Sequence, residues 1–201
     1  MRTAAPGSAR GVAAPQCPRF ERLLIHCMVF IQQVLKCKPY RKALEGAQPD
    51  GPATRAAALA AMTGEVRASL APRLGEDALE GLCRLLVCDY LPLGEDELTD
   101  WQLDAEAWQQ QQEVVGSKDK LRPCAESLYA TALETCPARC APAVASMLQE
   151  AHQALATAGS DAQAHTAALN VEAAWNAIGL GEYSLYDHVD FRALFAQALL
   201  P

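Results

Sequence analysis

Length, composition and charge narrow the classes of protein to which this chain can belong. It has 201 residues, 51% of them hydrophobic, so it can bury a sizeable core, and disorder is not expected for most of it. Lys and Arg number 17 against 24 Asp and Glu, a net charge of -7, which argues against nucleic acid as a partner. No apolar run approaches the roughly 20 residues that cross a bilayer, which argues against membrane insertion.

The cysteines, the histidines and the glycines of the sequence do not follow the patterns of metal or cofactor sites. The chain has eight cysteines, several on the apolar side of predicted helices, which favours a reducing compartment and few or no disulfides. The four histidines are scattered, and the cysteines lack the spacing of a zinc site. A glycine-rich phosphate loop is also absent from the sequence. We therefore expect no metal and no cofactor.

The first 18 residues differ in character from the rest. MRTAAPGSARGVAAPQCP lacks the apolar core of a secretory signal, and its proline and glycine interrupt the amphipathic helix of a mitochondrial presequence. We expect a disordered, low-complexity leader over residues 1–18 and a folded segment over residues 19–201.

Apolar periodicity predicts the first helices. One stripe indicates a buried helix that ends near Cys37. Its members are Phe20, Leu24, Cys27, Ile31 and Val34. Residues 46–52, GAQPDGP, are a linker by composition, and Thr54 can cap an alanine-rich helix that runs towards Leu70. The next helix stops at Pro92. Its stripe consists of Leu79, Leu82, Cys83, Leu86 and Tyr90.

The second half of the chain predicts two long helices that form a hairpin, followed by a final helix pair. The first stripe is Leu121, Cys124, Ala125, Leu128, Tyr129, Ala132 and Leu133, and the second is Val144, Met147, Leu148, Ala151 and Leu155. The final pair begins with a helix that carries Ala168, Val171, Trp175 and Ile178. FRALFAQALL supplies its partner, and we expect Tyr183 and Tyr186 to pack against that last helix.

The pattern as a whole is all-helical, because no alternation of apolar and polar residues lasts long enough to indicate a strand. Helices of about 12 to 20 residues, paired at intervals near 40, match the period of helical solenoids. Periodicity alone leaves an ordinary helical bundle as an alternative.

Five motifs in a fixed order carry a resemblance to a known family. They are ERLLIHCM at 21–28, LCRLLVCDYLPL at 82–93, ELTDWQLDAEAW at 97–108, LRPCAESL at 121–128 and NVEAAWNAIGLGEYSLYDHVDFRALFAQALLP at 170–201. In this order the chain resembles the central part of an importin-β family karyopherin, a nuclear transport receptor. The resemblance covers residues 19–201 and implies an all-α, armadillo-like solenoid of HEAT repeats, built from antiparallel helix pairs.

The resemblance also implies a function. Receptors of this family carry cargo proteins with basic segments into the nucleus, contact nuclear pore proteins and shuttle between cytoplasm and nucleus under control of the small GTPase Ran. The family's Ran-binding repeats have no counterpart in this sequence, which favours a partial gene product that binds Ran mostly through repeats absent here. The resemblance implies a protein that is not an enzyme.

Residues 94–120 form an acidic connector between two predicted helix pairs, and they contain the candidate partner-binding site. Tryptophans there can hold the stems or charges of Lys and Arg, and carboxylates attract basic segments. The candidates are Asp96, Glu97, Asp100, Trp101, Asp104, Glu106 and Trp108. The competing interpretation is that the two tryptophans only fasten the connector to the solenoid. Gln109 to Gln112 favour a helix in its second half.

Two alternative functions remain open on the sequence. One is a HEAT-repeat scaffold for protein–protein interaction that has no role in transport. The other is a helical enzyme that uses the acidic stretch, which would need two carboxylates about 5 to 10 Å apart in a cleft. Exposed positions for Asp104 and Glu106, away from any cleft, would exclude the enzyme.

Overall fold

A computed structural model describes residues 18–37, 72–114 and 120–199, together with the pairs 61–62, 64–65 and 68–69. Most of the predicted leader, the linker at 46–52 and most of the helix predicted from Thr54 to Leu70 lie outside the described residues. The described residues form helices and turns without a strand. Among these helices, none combines the length and the apolar character that a membrane span requires.

The helices follow the predicted order along the chain. They are α1 Pro18–Lys36, α2 Glu76–Leu85, α3 Glu95–Leu103, α4 Ala105–Val114, α5 Leu121–Thr135, α6 Pro137–Ala156, α7 Asp161–Leu180, α8 Glu182–Leu185 and α9 Phe191–Leu199. A π-helical turn, Leu86–Tyr90, continues α2. Two of the helices begin at residues that favour a helix start. Pro137 occupies the first turn of α6, where the N–H group that proline lacks would have no partner in the helix. The Ser160 hydroxyl caps α7 by accepting a hydrogen bond from the Gln163 N–H.

Helices α1, α5 and α7 stack in parallel. The Cys124 thiol of α5 lies 3.7 Å from the carbonyl oxygen of Ile25. Two turns further along α1 and one turn further along α5, Gln32 Nε2 lies 2.9 Å from the carbonyl oxygen of Ser127. Two polar contacts show that α5 and α7 also run in the same direction. Arg122 contacts Glu172 and, one turn later on both helices, Glu126 contacts Asn176, so each contact joins residues 50 positions apart.

Helices α2 and α6 form a second parallel stack. Near the start of both helices, Arg139 of α6 pairs with Asp77 and Glu80 of α2. Further along, the Cys88 thiol, just after α2, lies 3.7 Å from the Met147 sulfur of α6, so the two helices run in the same direction. Equivalent helices of successive HEAT repeats stack in this parallel manner. The structure is therefore an all-α HEAT-type solenoid, as predicted. The interval between α5 and α7 is 50 residues rather than about 40.

The predicted hairpin of α5 and α6 differs in its packing. The two helices are joined by Cys136 alone. Their most extensive contacts are with other helices, since α5 packs along α1 and α6 packs along α7. The two helices of the predicted hairpin contact each other less extensively than they contact these neighbours.

The core confirms the stripes of α2 and α5 and corrects that of α1. On α1 the buried side chains are Ile25, Met28, Gln32 and Leu35, whereas Phe20 and Cys27 of the predicted stripe are exposed. The reason is that apolar residues cover more than half of this helix, so two different stripes fit the periodicity. Gln32 lies inside the buried face, where its side-chain amide donates hydrogen bonds to the hydroxyls of Ser127 and Thr131 on α5. These hydrogen bonds favour burial of the face that contains Gln32 over burial of the predicted stripe.

The segment after α7 also departs from prediction. Tyr183 and Tyr186 do not pack against the last helix: their side chains are 90% and 76% exposed. The turn at Gly181 brings the backbone against α5, and a Cβ at that position would overlap the Leu133 side chain. A larger residue at position 181 would therefore require the Leu133 side chain to move. The Trp175 ring of α7 stacks on Phe195 of α9, with ring centroids 5.5 Å apart.

Candidate functional site: the acidic connector

The acidic connector begins at a fixed point on the solenoid. The Arg122 guanidinium, only 10% exposed, donates from Nε to the carbonyl oxygen of Leu91 at 2.7 Å. The same guanidinium pairs with Glu126 on its own helix and with Glu172 on α7, at 3.6 and 3.3 Å. One arginine thus ties the end of the π-helical turn to the α5–α7 stack, just before the connector starts.

Glu172 is the α7 carboxylate that the Arg122 guanidinium contacts. Burial raises the pKa of the Glu172 carboxyl, and the nearby carboxylates of Glu126 and Glu97 raise it further, while Arg122 lowers it. Its Oε2 atom is buried without a hydrogen-bond partner among the described residues. The carboxyl of Glu172 thus lies between the cation of Arg122 and a group of acidic side chains.

The two connector helices are organised by local capping. At the start of α3, the Gly94 N–H donates to Glu97 Oε2 at 3.1 Å. Asp104 has extended backbone and ends α3, and its Oδ1 accepts from the Ala107 N–H at 2.9 Å, which caps α4. Helix α4 continues to Val114, so the helix predicted across the glutamine run is confirmed. No residue of α3 is buried, so local hydrogen bonds hold its shape.

The candidate carboxylates divide into two groups. Glu97 is half-buried and Asp104 is exposed, and both cap a helix. Asp96, Asp100 and Glu106 are exposed, and their side chains form no hydrogen bond or ion pair with any other described residue. The second group is therefore available to a partner, while the first also maintains the fold of the connector.

The two tryptophans have different environments, which the sequence left open. Trp108 is half-buried, and its indole Nε1 is enclosed without an acceptor among the described residues. Trp101 is 49% exposed and Leu103 is 79% exposed. Leu103 was missed from the sequence. Its position five residues after Leu98, off any helical apolar stripe, was the available signal.

The exposed carboxylates do not form a catalytic centre. Asp104 and Glu106 both face solvent, and the first serves as a helix cap. A cleft of about 250 Å³ lies elsewhere, between α2 and α6, and there the Glu80 carboxylate pairs with the guanidinium groups of Arg84 and Arg139. Within the described ranges, no three His, Cys, Asp or Glu side chains are grouped as metal ligands.

Known proteins provide the comparison for this architecture. Over 185 residues the chain is 31% identical to human importin-11 and 30% identical to mouse importin-11. The chain is similar to a segment of importin-11. The match takes in 90% of this chain but 17% of importin-11, so the chain spans about a sixth of the length of these relatives.

The match to importin-11 confirms the predicted resemblance to an importin-β family receptor, and specifically to the importin eleven type. No protein-family model and no solved structure matches the chain at a significant level.

Proposed function

We propose that this chain is a segment of an importin-type nuclear transport receptor and that its acidic connector binds basic segments of cargo proteins. One observation carries the proposal. Trp101 and Leu103 are apolar and exposed, and they lie within residues 94–117, which contain seven carboxylates and no Lys, Arg or His. Exposed apolar groups inside a surface of one charge are typical of recognition sites rather than of solvated loops.

The chemistry of this surface defines the partner. Asp96, Asp100 and Glu106 attract Lys and Arg side chains, and the face of Trp101 can hold a guanidinium or the aliphatic stem of a lysine. Leu103, two residues further along α3, adds a second exposed apolar side chain. The best-fitting ligand is an extended or disordered basic segment with at least one apolar residue among its Lys and Arg residues.

The similarity to importin-11 supports the proposal that this chain belongs to a transport receptor. It does not bear on the proposed contact between the acidic connector and cargo. Importin-11 is about six times longer than the segment matched here, so Ran control, contact with nuclear pore proteins and shuttling between cytoplasm and nucleus are proposed for a receptor that contains this segment. The solenoid is suited to such a receptor because parallel stacking can continue from repeat to repeat.

Binding is tested with a fluorescently labelled basic peptide, measured by anisotropy at several salt concentrations. We expect affinity to fall as salt rises, because the carboxylates are exposed and screened. Trp101→Ala is expected to weaken binding about tenfold, equivalent to about 1.4 kcal/mol.

The matched control separates local recognition from net charge. Asp96→Asn, Asp100→Asn and Glu106→Gln together remove three charges from the connector. Asp161→Asn, Glu182→Gln and Asp187→Asn remove three from other exposed positions. The connector variant should lose most of its affinity and the control should keep it. Equal losses would mean that the peptide responds only to net charge, and the proposal would fail.

Transport is tested separately from binding. A chimera of human importin-11 carries this chain in place of the matched segment and is assayed for import in permeabilised cells with Ran. We expect Ran-dependent accumulation of cargo in the nucleus. A folded chimera that binds GTP-loaded Ran and the basic peptide but imports nothing would favour a scaffold without a transport role.

A further inference from the structure

Two free cysteines lie in the contact between α2 and α6. Cys83 of α2 and Cys140 of α6 are both fully buried in the core, and their thiols are within hydrogen-bonding reach of each other. Burial raises the pKa of the Tyr129 hydroxyl on α5, and both thiols raise it further, so the three groups lie close together. We call Cys83 and Cys140 the thiol pair.

Contacts on both sides of the thiol pair hold α2 and α6 together. On one side, Arg139 Nη2 lies 3.1 Å from Glu80 Oε2, and these two residues come just before the two cysteines along their helices. On the other side, the Cys88 sulfur lies 3.7 Å from the sulfur of Met147. Because the helices run in the same direction between these contacts, the thiol pair lies within their shared face, in a contact between two described helices.

The two thiols differ in acidity. The hydrogen bond between them raises the pKa of Cys83 and lowers the pKa of Cys140. Burial raises the pKa of both, and the Arg139 guanidinium lowers the pKa of Cys140. Cys140 therefore becomes a thiolate more readily than Cys83, and the thiolate is the form of cysteine that attacks an oxidant.

A cleft of about 250 Å³ adjoins the same contact. Residues one or three positions from the two cysteines line it, namely Glu80, Arg84, Arg139 and Ala143. A water molecule occupies about 30 Å³ in the liquid, so the cleft has room for several molecules of the size of water or hydrogen peroxide. It brings a small oxidant near to thiols that are themselves buried.

We propose that hydrogen peroxide converts the thiol pair into a disulfide that fastens α2 to α6. The Cys140 thiolate attacks one peroxide oxygen, the O–O bond breaks, and Cys140 becomes a sulfenic acid, while the leaving hydroxide takes up a proton to form water. The Cys83 sulfur then attacks the Cys140 sulfur, the S–O bond breaks, and the departing hydroxide combines with the Cys83 proton. Two thiols are thus oxidised by two electrons, and one peroxide is reduced to two waters.

The bond would join two helices of the solenoid, so this inference does not depend on binding at the acidic connector. A thiol such as glutathione would reverse it by thiol–disulfide exchange. Because a cross-link restricts the unfolded chain, the oxidised protein should unfold at a temperature several degrees higher than the reduced protein. An oxidised form that unfolds at a lower temperature would show that the bond distorts the helix contact, and the proposal that it fastens α2 to α6 would fail.

Peptide mapping of the full chain tests the bond. The folded protein is treated with a small excess of hydrogen peroxide, its remaining thiols are alkylated, and its peptides are analysed by mass spectrometry without reductant. We expect a peptide that joins Cys83 to Cys140 and disappears after dithiothreitol is added. Cys136→Ser removes another buried thiol of the same core cluster and should leave this bond unchanged. Recovery of both cysteines as alkylated thiols, or a bond from either one to Cys136, would overturn the proposal.

Two single variants test the order of the steps. Cys83→Ser keeps a hydrogen-bond donor but removes the second thiol, so the sulfenic acid on Cys140 should persist and be trapped by dimedone. Cys140→Ser should leave Cys83 unlabelled, because its thiol is the less acidic one. Circular dichroism checks that both variants keep the helical fold. Dimedone label on Cys83 in the second variant, with none on Cys140 in the first, would contradict the proposed attack by Cys140.

Discussion

The α5–α7 stack and the connector helices α3 and α4 hold their shape in different ways. Helix α5 buries seven residues and is tied to its neighbours by contacts 50 to 99 positions apart in sequence. Helix α3 buries none, and its hydrogen bonds reach only three or four residues away. The stack therefore depends on long-range packing, whereas the connector depends on capping and on its attachment at Leu91.

This difference explains why the groups that we propose for binding lie on the connector. Side chains that hold the stack together, such as Leu128 and Tyr129, have no exposed surface to offer a partner. On the connector, Asp96, Asp100 and Trp101 are not needed for packing and remain available. Our proposal therefore places stability and recognition on separate helices, and mutations can distinguish the two.

The largest expected effect compares one leucine in each region. Leu128→Ala leaves a cavity in the fully buried face of α5 and should lower the free energy of unfolding by about 3 kcal/mol. Leu103→Ala, at a residue 79% exposed on the connector, should change it by less than about 0.5 kcal/mol. Urea denaturation measures both. Similar losses for the two variants would show that the connector is part of the core.

A pair of glycines tests how tightly α5 and the end of α7 approach. Gly181→Ala places a methyl group against Leu133 and should cost about 1 to 3 kcal/mol of stability. Gly179→Ala has open space around the new Cβ and should raise stability by up to about 1 kcal/mol through helix propensity. Thermal unfolding of the two variants gives the comparison. If Gly181→Ala were as stable as Gly179→Ala, the close approach would be disproved.

The two adjacent glutamines of α1 test the polar contact that sets its buried face. Gln32→Ala removes the hydrogen bonds to Ser127 and Thr131 and should cost about 1 to 2 kcal/mol. Gln33→Ala is exposed and should be nearly neutral, with the same change in helix propensity. Chemical denaturation again measures the difference, and equal stabilities would mean that Gln32 has no role in choosing the face.

The smallest effect concerns pH. Burial raises the pKa of Glu172 above its ordinary value of 4.5, so the folded state holds this proton more tightly than the unfolded state. Relative to Glu172→Gln, the unmodified chain should gain stability as pH falls from 7 through the raised pKa, with the gain complete below about 4.5. Unfolding curves at several pH values measure this, with Glu182→Gln as the control for losing one charge. A relative stability that falls with pH would contradict the sign.

The sequence predicted the helix order and the stripes of α2 and α5, because their apolar residues are confined to one face. It failed on α1, where apolar residues surround most of the helix and the buried face depends on Ser127 and Thr131, about a hundred residues away. It also failed on Tyr183 and Tyr186, whose exposure depends on the packing of Gly181 against α5. Periodicity identifies the apolar faces of a helix. When a helix has two such faces, only contacts in the folded protein determine which face is buried.

The candidate site shows the same limit. Composition was enough to locate the acidic connector, and the glutamine run correctly predicted helix α4. The sequence could not assign different environments to Trp101 and Trp108, since both follow a carboxylate-rich stretch, and it missed Leu103. Those distinctions depend on the cap at Asp104, which changes the direction of the chain between the two tryptophans.

Hydrogen–deuterium exchange with and without the labelled basic peptide tests the central claim most directly, because it reports on both regions in one experiment. Binding at the connector should slow exchange across residues 95–108 and leave α5 unchanged, since the amides of α5 are already protected by packing. Protection that appeared in α5 or α7, with none at 95–108, would contradict the claim that the connector is the recognition surface of this solenoid.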